Sequence, residues 1–558
     1  MQDAFPMLPF VRALLNKPPT IMAIPANLDA FLPREDLYAE GNEPKVNEFS
    51  EMGITELREQ WVQRLRKPDF QRTTDDWNAD HIMQFVKSFI EGDVIPGVIF
   101  WASPATGNIL VIDGAHRISA ILAWIFDDYG DREPSQKFFG YQDNFDQIAA
   151  ANAARDAIAH PDNNIGAFRD ILAAQSKSNA PKRLKDLGKS MTAARFKIQW
   201  LHADAPGKAE ESFYRINLRS VALNKTEIKL IRDRDKPVPI ATRAIVQNGE
   251  GSAFWKAFPE NHKRETVRLA KEIHTLLFSP PLKDQIKSAH LPIAGKSYGG
   301  TAMEIALEVV ESSNKGPAKG SVAQKTILAL RNTRDVLSKI NGKYDGCLGL
   351  HPAVYFYSHV TGKHQPAALM AIIKWVQSFD KKRFREFISV RKYFEDFLIQ
   401  NARALGETIS ARGSKGRSVN TLIAYYDLVL NELLKGSGPK NILDAMRKDP
   451  KMFPFAENLP DFTEYGADFS TETKSAGFLV DSIKGAPPCR ACGARYQPDS
   501  VNADHKIQKS KGGTGTPKNF APTHFYCNGG KATFLPLIRS AWRLIKAQSA
   551  PTRKRAAR

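Results

Sequence analysis

Cysteine is scarce: four residues in 558, at positions 347, 489, 492 and 527, are too few for a disulfide framework. Long apolar runs are missing as well. No stretch reaches the roughly 18 residues that a membrane-spanning helix needs, so no membrane partner is expected. The stretch from Met1 to Leu15 has no basic start, no extended apolar centre and no small-residue cleavage site. A secretory signal is therefore not expected, and the cytoplasm is the default location. Acidic residues are rare in one region only. Residues 484–558 hold Asp499 and Asp504 against 15 Lys and Arg, which accounts for +13 of the formal +19 on the whole chain. A local excess of that size marks a polyanion site, and nucleic acid is the usual polyanion. For Arg553, Lys554, Arg555 and Arg558 alone, a solvated basic tail is the other reading.

What is present is a globular composition, with 42% hydrophobic and 25% charged residues. The length suggests three or four domains, each able to bury a core. Seven prolines in residues 1–45 predict an irregular arm. From about residue 47 to 234 the pattern mixes helices and short strands. A helix from near Asn78 ends at Ser88–Ile90, Val94–Trp101 reads as a strand, and Asn108–Ile112 reads as a buried strand. Ile118–Phe126 switches to helical spacing. Residues 143–195 are expected to be largely helical, with breaks at Pro161 and Pro181. Residues 236–480 are read as mostly helical, with candidates at Phe254–Phe278, Thr301–Glu311, Ala323–Ile340, Pro366–Phe379, Lys382–Arg403 and Val419–Lys435.

Three of the four cysteines fall within 39 positions. Cys489-Arg-Ala-Cys492 is followed, 31 residues on, by His524-Phe-Tyr-Cys527. Two residues between paired ligands let both face one ion, and two such knuckles complete a tetrahedral Cys3His zinc site. With four protein ligands such a zinc has no open position, so its expected role is structural.

Between the knuckles lie Asn502-Ala503-Asp504-His505-Lys506-Ile507, Lys511-Gly512-Gly513 and Asn519-Phe520-Ala521-Pro522; Asn528 and Lys531 follow Cys527. This order resembles the HNH nuclease family: a strand ending in Asp-His, a Gly-Gly loop, an Asn-x-x-Pro segment and a helix opening with Cys-Asn-x-x-Lys. His524 stands where many members have Cys, and Gln508 stands near a position often held by Pro. The resemblance implies phosphodiester cleavage with His505 as general base. Asp504 and Asn528 would ligate Mg²⁺ or Mn²⁺, Asn519 would hold the loop that orients His505, and Lys531 would meet a phosphate. Taken singly, each has a plainer reading: a surface Asp-His pair, a turn asparagine, a helix cap.

A second stretch runs from Val111 to Ile121 and contains Asp113-Gly114-Ala115-His116-Arg117. A strand running into an Asp-Gly turn and then a helix opening with His and Arg describes an anion site, since a helix start offers free N–H groups and Arg a planar fork. It equally describes an ordinary strand–turn–helix junction with a solvated arginine. The segment resembles the Asp-Gly-x-His/Gln-Arg motif of the ParB/sulfiredoxin-like fold. Phe70-Gln71-Arg72, Trp77, Ile95-Pro96, and then Phe213-Tyr214-Arg215-Ile216-Asn217 with Leu223-Asn224 and Glu227-Ile228, resemble the ParB-like domain of GmrSD-type restriction proteins. That resemblance implies binding and hydrolysis of a nucleoside triphosphate and control of a nuclease domain. Asp113, Gly114, His116, Arg117, Gln71, Arg72 and Asn217 are the residues it would use. Ala115 sits where sulfiredoxin needs a reactive cysteine, which argues against reductase chemistry.

The expectation is an α+β multidomain chain. It comprises an arm over 1–45, a ParB/sulfiredoxin-like α/β nucleotide domain over 46–235, a helical connector or recognition domain over 236–480, a zinc-stabilised ββα-metal HNH domain over 481–546 and a basic tail over 547–558. DNA, possibly modified phage DNA, is the expected partner. A homodimer is a further expectation, because one nuclease site cuts one strand. The alternative is a nucleotide-switched DNA-binding regulator whose C-terminal region only clamps DNA.

Overall fold

The computed structural model describes residues 25–37, 41, 46–69, 71, 74, 77–139, 145–163, 165–202, 206–217, 225–250, 255, 257–282, 286–297, 299–314, 316, 318–402, 415–449, 469 and 471–549. The chain divides into two compact units. One comprises Met1–Leu37, Gly41–Asp69 and Thr73–Ile216; the other comprises Tyr38–Glu40, Phe70–Arg72 and Asn217–Arg558. Most of the expected N-terminal arm, and the basic tail from residue 550, lie outside the described residues.

The first unit is built on a mixed six-stranded sheet. Its strands are β1 (Arg34–Glu35), β2 (Glu51–Gly53), β3 (Leu65–Pro68), β4 (Val98–Ala102), β5 (Ile109–Asp113) and β6 (Arg195–Trp200), in the order β1-β3-β5-β4-β6-β2. β5 is an almost continuous buried apolar run, as an interior strand should be. β4 lies between β5 (antiparallel) and β6 (parallel). The expected strand Val94–Trp101 therefore starts only at Val98. Pro96 has no N–H to give to a ladder bonded on both sides, and Val94 is fully exposed.

Six longer helices complete this unit: α1 (Ala79–Glu91), α2 (Ala115–Phe126), α3 (Phe145–Ala159), α4 (Phe168–Ser176), α5 (Lys182–Ala193) and α6 (Pro206–Asn217). The Asn78 side chain accepts from the His81 N–H at 3.0 Å to start α1, and Gly92 in the left-handed region stops it. Ile82, Val86 and Phe89 of α1 meet Ile121 and Trp124 of α2 and Phe196 of β6 in one core.

Among the described residues the second unit is helical except for one hairpin and the isolated bridge between Tyr357 and His364. Its longer helices are α7 (Lys225–Arg232), α8 (Pro237–Val246), α9 (Glu260–Phe278), α10 (Gly299–Ser313), α11 (Val322–Asn341), α12 (Pro366–Gln377), α13 (Lys381–Gln400), α14 (Lys415–Leu434), α15 (Pro439–Lys448), α16 (Thr471–Gly485) and α17 (Lys531–Ser549). The expected helices here agree within a few residues except Phe254–Phe278. That one begins at Glu260 because Pro259 takes the N-cap position, while Trp255 packs separately with Ile240, Ala244 and Ala270. Phe254 is outside the described residues. Trp375 of α12 anchors the core, stacked with Phe394 of α13 and tilted against Tyr426 of α14. β7 (Val501–His505) and β8 (Phe520–His524) form the antiparallel hairpin. Among the described residues no helix is long and apolar enough to cross a membrane.

Candidate active site and metal centre

The loop Cys489–Ala494 folds back on itself: the Gly493 N–H donates to the Cys489 carbonyl at 2.8 Å, and the Cys489 N–H to the Ala494 carbonyl at 2.9 Å. Gly493 takes a positive φ of 66°, where a side chain would be strained. This turn puts Cys489 and Cys492 beside His524, the last residue of β8, and Cys527 in the short helix Phe525–Gly529. All four are buried, with ligand atoms within 4.8 Å of one another, so they are placed to hold one metal ion.

The His524 ring is oriented from behind. Its Nε2–H donates to the Arg495 carbonyl at 2.9 Å, which leaves Nδ1 facing Cys492 Sγ at 3.4 Å. A bond from the far ring nitrogen to a backbone carbonyl fixes the tautomer a metal ligand needs. Hydrogen bonds from Cys492 and Cys527 pull the Cys489 thiol well below its usual range. Burial and Arg391 oppose charge on His524, yet Cys492 and Cys489 outweigh them and raise it to about 9. Hydrogen bonds with Cys489 and Cys492 raise the Cys527 thiol, so the four groups share their protons among themselves, and once those protons leave, the thiolate–imidazole set suits a borderline-soft ion.

A buried ion pair locks this cluster to the helices. Arg391 and Glu395 are one turn apart on α13 and have no exposed side-chain surface. Arg391 donates to Glu395 Oε1 at 2.7 Å, to the Tyr526 hydroxyl at 3.1 Å, to the carbonyls of Gly349 and Arg495 at 3.0 and 2.9 Å, and to the Leu348 carbonyl. The second Glu395 oxygen accepts from the Arg495 N–H at 2.7 Å. Tyr526 in turn stacks on the His524 ring. Sequence reading missed this pair. Its signal is a charged i,i+4 couple inside the otherwise apolar face Phe387, Ile388, Val390, Phe394 and Phe397.

The hairpin carries the remaining C-terminal residues. Asp504 and His505 end β7, opposite Ala521 and Phe520. Asp504 Oδ1 accepts from the His505 N–H at 2.7 Å, and Oδ2 pairs with Lys531 at the start of α17. Asn528 donates from Nδ2 to the Ala503 carbonyl at 3.4 Å, which leaves its amide oxygen for another partner. Asn519 is nearly buried and clasps the loop between the strands. It accepts from the Ile507 N–H at 2.7 Å and donates to the carbonyls of Thr514 at 2.7 Å and Ile507 at 3.1 Å. Gly513 lies so close to the Ile507 carbonyl that a β-carbon there would collide with it. Asp504 is thus joined to Lys531 by its side chain and to His505 through the backbone N–H, Asn528 reaches β7 at Ala503, and Asn519 holds the loop that follows β7.

In the first unit, Asp113 ends β5, Gly114 turns with φ 101°, and His116 and Arg117 open α2. A β-carbon on Gly114 would strike Val98. Arg117 donates to Asp113 Oδ2 at 2.5 Å and to the Pro96 carbonyl at 2.7 Å, and His116 stacks on Trp77. Both terminal nitrogens of Arg117 already have a protein acceptor. Gln71 is buried. Arg72, the Asn217 side chain and Leu223-Asn224 lie outside the described residues, although the Asn217 backbone closes α6.

Residues 54–232 match the family model of the GmrSD restriction endonuclease, N-terminal domain. The matched stretch includes the Asp113–Arg117 corner, and this GmrSD-like region ends well before the hairpin and the Cys3His cluster. No curated protein and no solved structure matches the chain.

Proposed function

We propose that the chain is a metal-dependent DNA endonuclease of the HNH type, controlled by a GmrSD-like domain and acting in restriction of phage DNA. The observation that carries this reading is the joint placement of Asp504, His505, Asn528 and Lys531 at one end of a hairpin tied to a buried Cys3His cluster. Zinc would occupy that cluster and hold the fold. Mg²⁺ or Mn²⁺ on the Asp504 carboxylate and the Asn528 amide oxygen, both hard donors, would stabilise charge on the phosphate and the leaving oxygen. His505 would take the proton from the attacking water, Asn519 would keep its loop in place, and Lys531 would contact the phosphate. The match of residues 54–232 to a restriction endonuclease domain supports the defence role. In that domain a nucleoside triphosphate would meet the first turn of α2 at Arg117, held ready by Asp113. Cutting both strands would need two copies, as in a homodimer.

The test is incubation of the full chain with modified and unmodified plasmids and Mg²⁺ or Mn²⁺, with and without nucleotides. Cutting that His505→Ala removes, while DNA binding persists, is the expected result. Cutting that survives His505→Ala sinks the reading. Loss of nucleotide hydrolysis in Arg117→Ala tests the N-terminal part separately. A non-cutting DNA clamp is favoured by one observation, the Lys531 ammonium already neutralising Asp504. Binding of every plasmid with no cutting under any condition would select it.

A further inference from the structure

Between the starts of α13 and α17 lies a cavity of about 310 Å³, at the small end of the range for ligand sites. Its walls are apolar and aromatic: Phe379 after α12, Phe384 on α13 and Phe534 on α17. Phe534 sits one turn beyond Lys531, and Gly530 leaves space for its ring, since a β-carbon there would run into it. Gly346, also in the lining, follows Asp345, whose carboxylate abuts Gly529, the neighbour of Asn528. Two of its lining residues, Phe534 and Gly346, are thus linked along the chain to Lys531 and, through Asp345 and Gly529, to Asn528.

The lining also includes three cations, Lys339 at the end of α11 and Lys381 and Arg385 on α13. All three are exposed. Among the described residues none of them has a carboxylate within salt-bridge reach. Their neighbours differ: Arg383 pairs with Asp427 at 2.7 Å and Lys382 lies 3.9 Å from Glu386. The one acid on the cavity wall, Asp380, caps α13 by accepting from the Arg383 N–H at 2.7 Å. Lys381 and Arg385 are four apart on one helix face and close to the helix start. Like charges at that spacing repel, and cations at a helix N-terminus oppose the dipole. Left alone, the arrangement is unfavourable; an anion across the three cations makes it favourable.

An aromatic-walled cavity with a cationic rim matches one chemistry, a flat heterocycle attached to phosphates. We propose that this cavity receives an unstacked nucleobase of a DNA strand, with the flanking phosphates on Lys339, Lys381 and Arg385. Stacking on phenylalanine is sequence-tolerant and needs a base out of the duplex stack. The proposal rests on DNA being the substrate of the neighbouring site. It gives that site a way to sense a base while a backbone phosphate of the same strand reaches the hairpin.

The experiment uses the full chain and a single-stranded DNA carrying 5-iodouracil, irradiated and mapped by peptide mass spectrometry. Crosslinks at Phe379, Phe384 or Phe534 support the proposal; crosslinks confined to other residues overturn it. Phe534→Ala, with zinc content unchanged, should weaken single-strand binding about fivefold or more, the loss of one base–aromatic stack. If that variant loses zinc, the triple variant Lys339→Ala/Lys381→Ala/Arg385→Ala carries the test, because these exposed side chains support no ion pair. Its slope of log affinity against log salt should fall by about 2, at roughly 0.7 per phosphate contact. An unchanged slope overturns the proposal, and so does protection from crosslinking by a free mononucleotide at the same concentration as the strand. Plasmid cutting with no crosslink in the cavity removes this proposal alone; crosslinks here without cutting remove the nuclease reading alone.

Discussion

Replacing Arg391 with Met should destabilise the second unit more than any surface change in it. The perturbation deletes a guanidinium with no exposed surface that donates to five acceptors on four segments of chain. Glu395 would remain, equally buried, with the Tyr355 hydroxyl at 3.2 Å and the Arg495 N–H at 2.7 Å as its remaining donors. Removing one partner of a buried pair costs about 3–5 kcal/mol because the other charge is left uncompensated. The carbonyls of Leu348, Gly349 and Arg495 each lose a donor, so the upper part of that range applies. With a guanidinium dependence of about 4 kcal/mol per molar, the midpoint of the second unit's unfolding should fall by about 1 M. The assay is equilibrium unfolding of the full chain, followed by zinc release and by tryptophan fluorescence. The double variant Arg391→Met/Glu395→Leu should recover much of the loss, since both charges then leave together. A single variant within about 0.5 kcal/mol of the wild type, or a double variant no better than the single, would refute the reasoning.

With zinc in the Cys3His cluster as proposed, Cys492→Ser should lower the zinc content, as read by elemental analysis, and the unfolding temperature of the second unit, because metal binding there would be folding free energy. Asn519→Ala should cost about 1–3 kcal/mol by leaving the Ile507 N–H and the Thr514 carbonyl without their partner. Plasmid cutting should fall while zinc content holds, and equal loss of both would place Asn519 in the fold alone. In the first unit, burial alone would raise the Asp29 pKa, but Lys67 and Arg34 overcome it and hold it at about 2 against an ordinary 3.8. A depressed carboxylate gives stability that is present above its unfolded pKa and lost as pH falls through the folded one. Acid titration of the first unit's melting should therefore show a loss of about 2 kcal/mol between roughly pH 4 and pH 2 that Asp29→Asn lacks.

The elements legible in the sequence are those whose signal is local. The run Ile109–Asp113 and the helical spacing of Ile118–Phe126 announce buried elements by their apolar pattern alone. The Cys-x-x-Cys knuckle, Gly493 and the Gly512-Gly513 loop announce turns by residue type. What was missed depends on partners far along the chain. β2 pairs with β6 in the register Met52–Phe196, across more than 140 residues, and three-residue β2 is too short to carry a pattern. β6 does alternate, with Phe196 buried between exposed Arg195 and Lys197, and that period of two was there to be read. Val94 was over-read because its β-branched side chain suits a strand, while Pro96 decides otherwise. In the candidate site, residue types, their order and Asn519 as a holder of the loop were legible, whereas the Lys531–Asp504 pair is a tertiary fact.

The Arg391–Glu395 couple gives the C-terminal segment its orientation. A lone Cys3His cluster holds about forty residues in a fold but leaves them free to turn against whatever they adjoin. Here Ile388 and Phe384 of α13 share an apolar cluster with Cys489, Cys492, Tyr526, Cys527 and Ile538. Ser500 bonds to the Asn341 carbonyl at 2.9 Å, and Asp499 meets His290 at 2.8 Å. These attachments come from separate helices and loops, so the hairpin has no single hinge about which to rotate. For the proposed cleavage, in which a misplacement of about 1 Å would cost about a hundredfold in rate, that rigidity would serve the chemistry as well as the fold. The helices are then the scaffold on which the Asp504–His505 end of β7 is aimed, and a strand held at the phenylalanine cavity would be presented to it at a fixed distance.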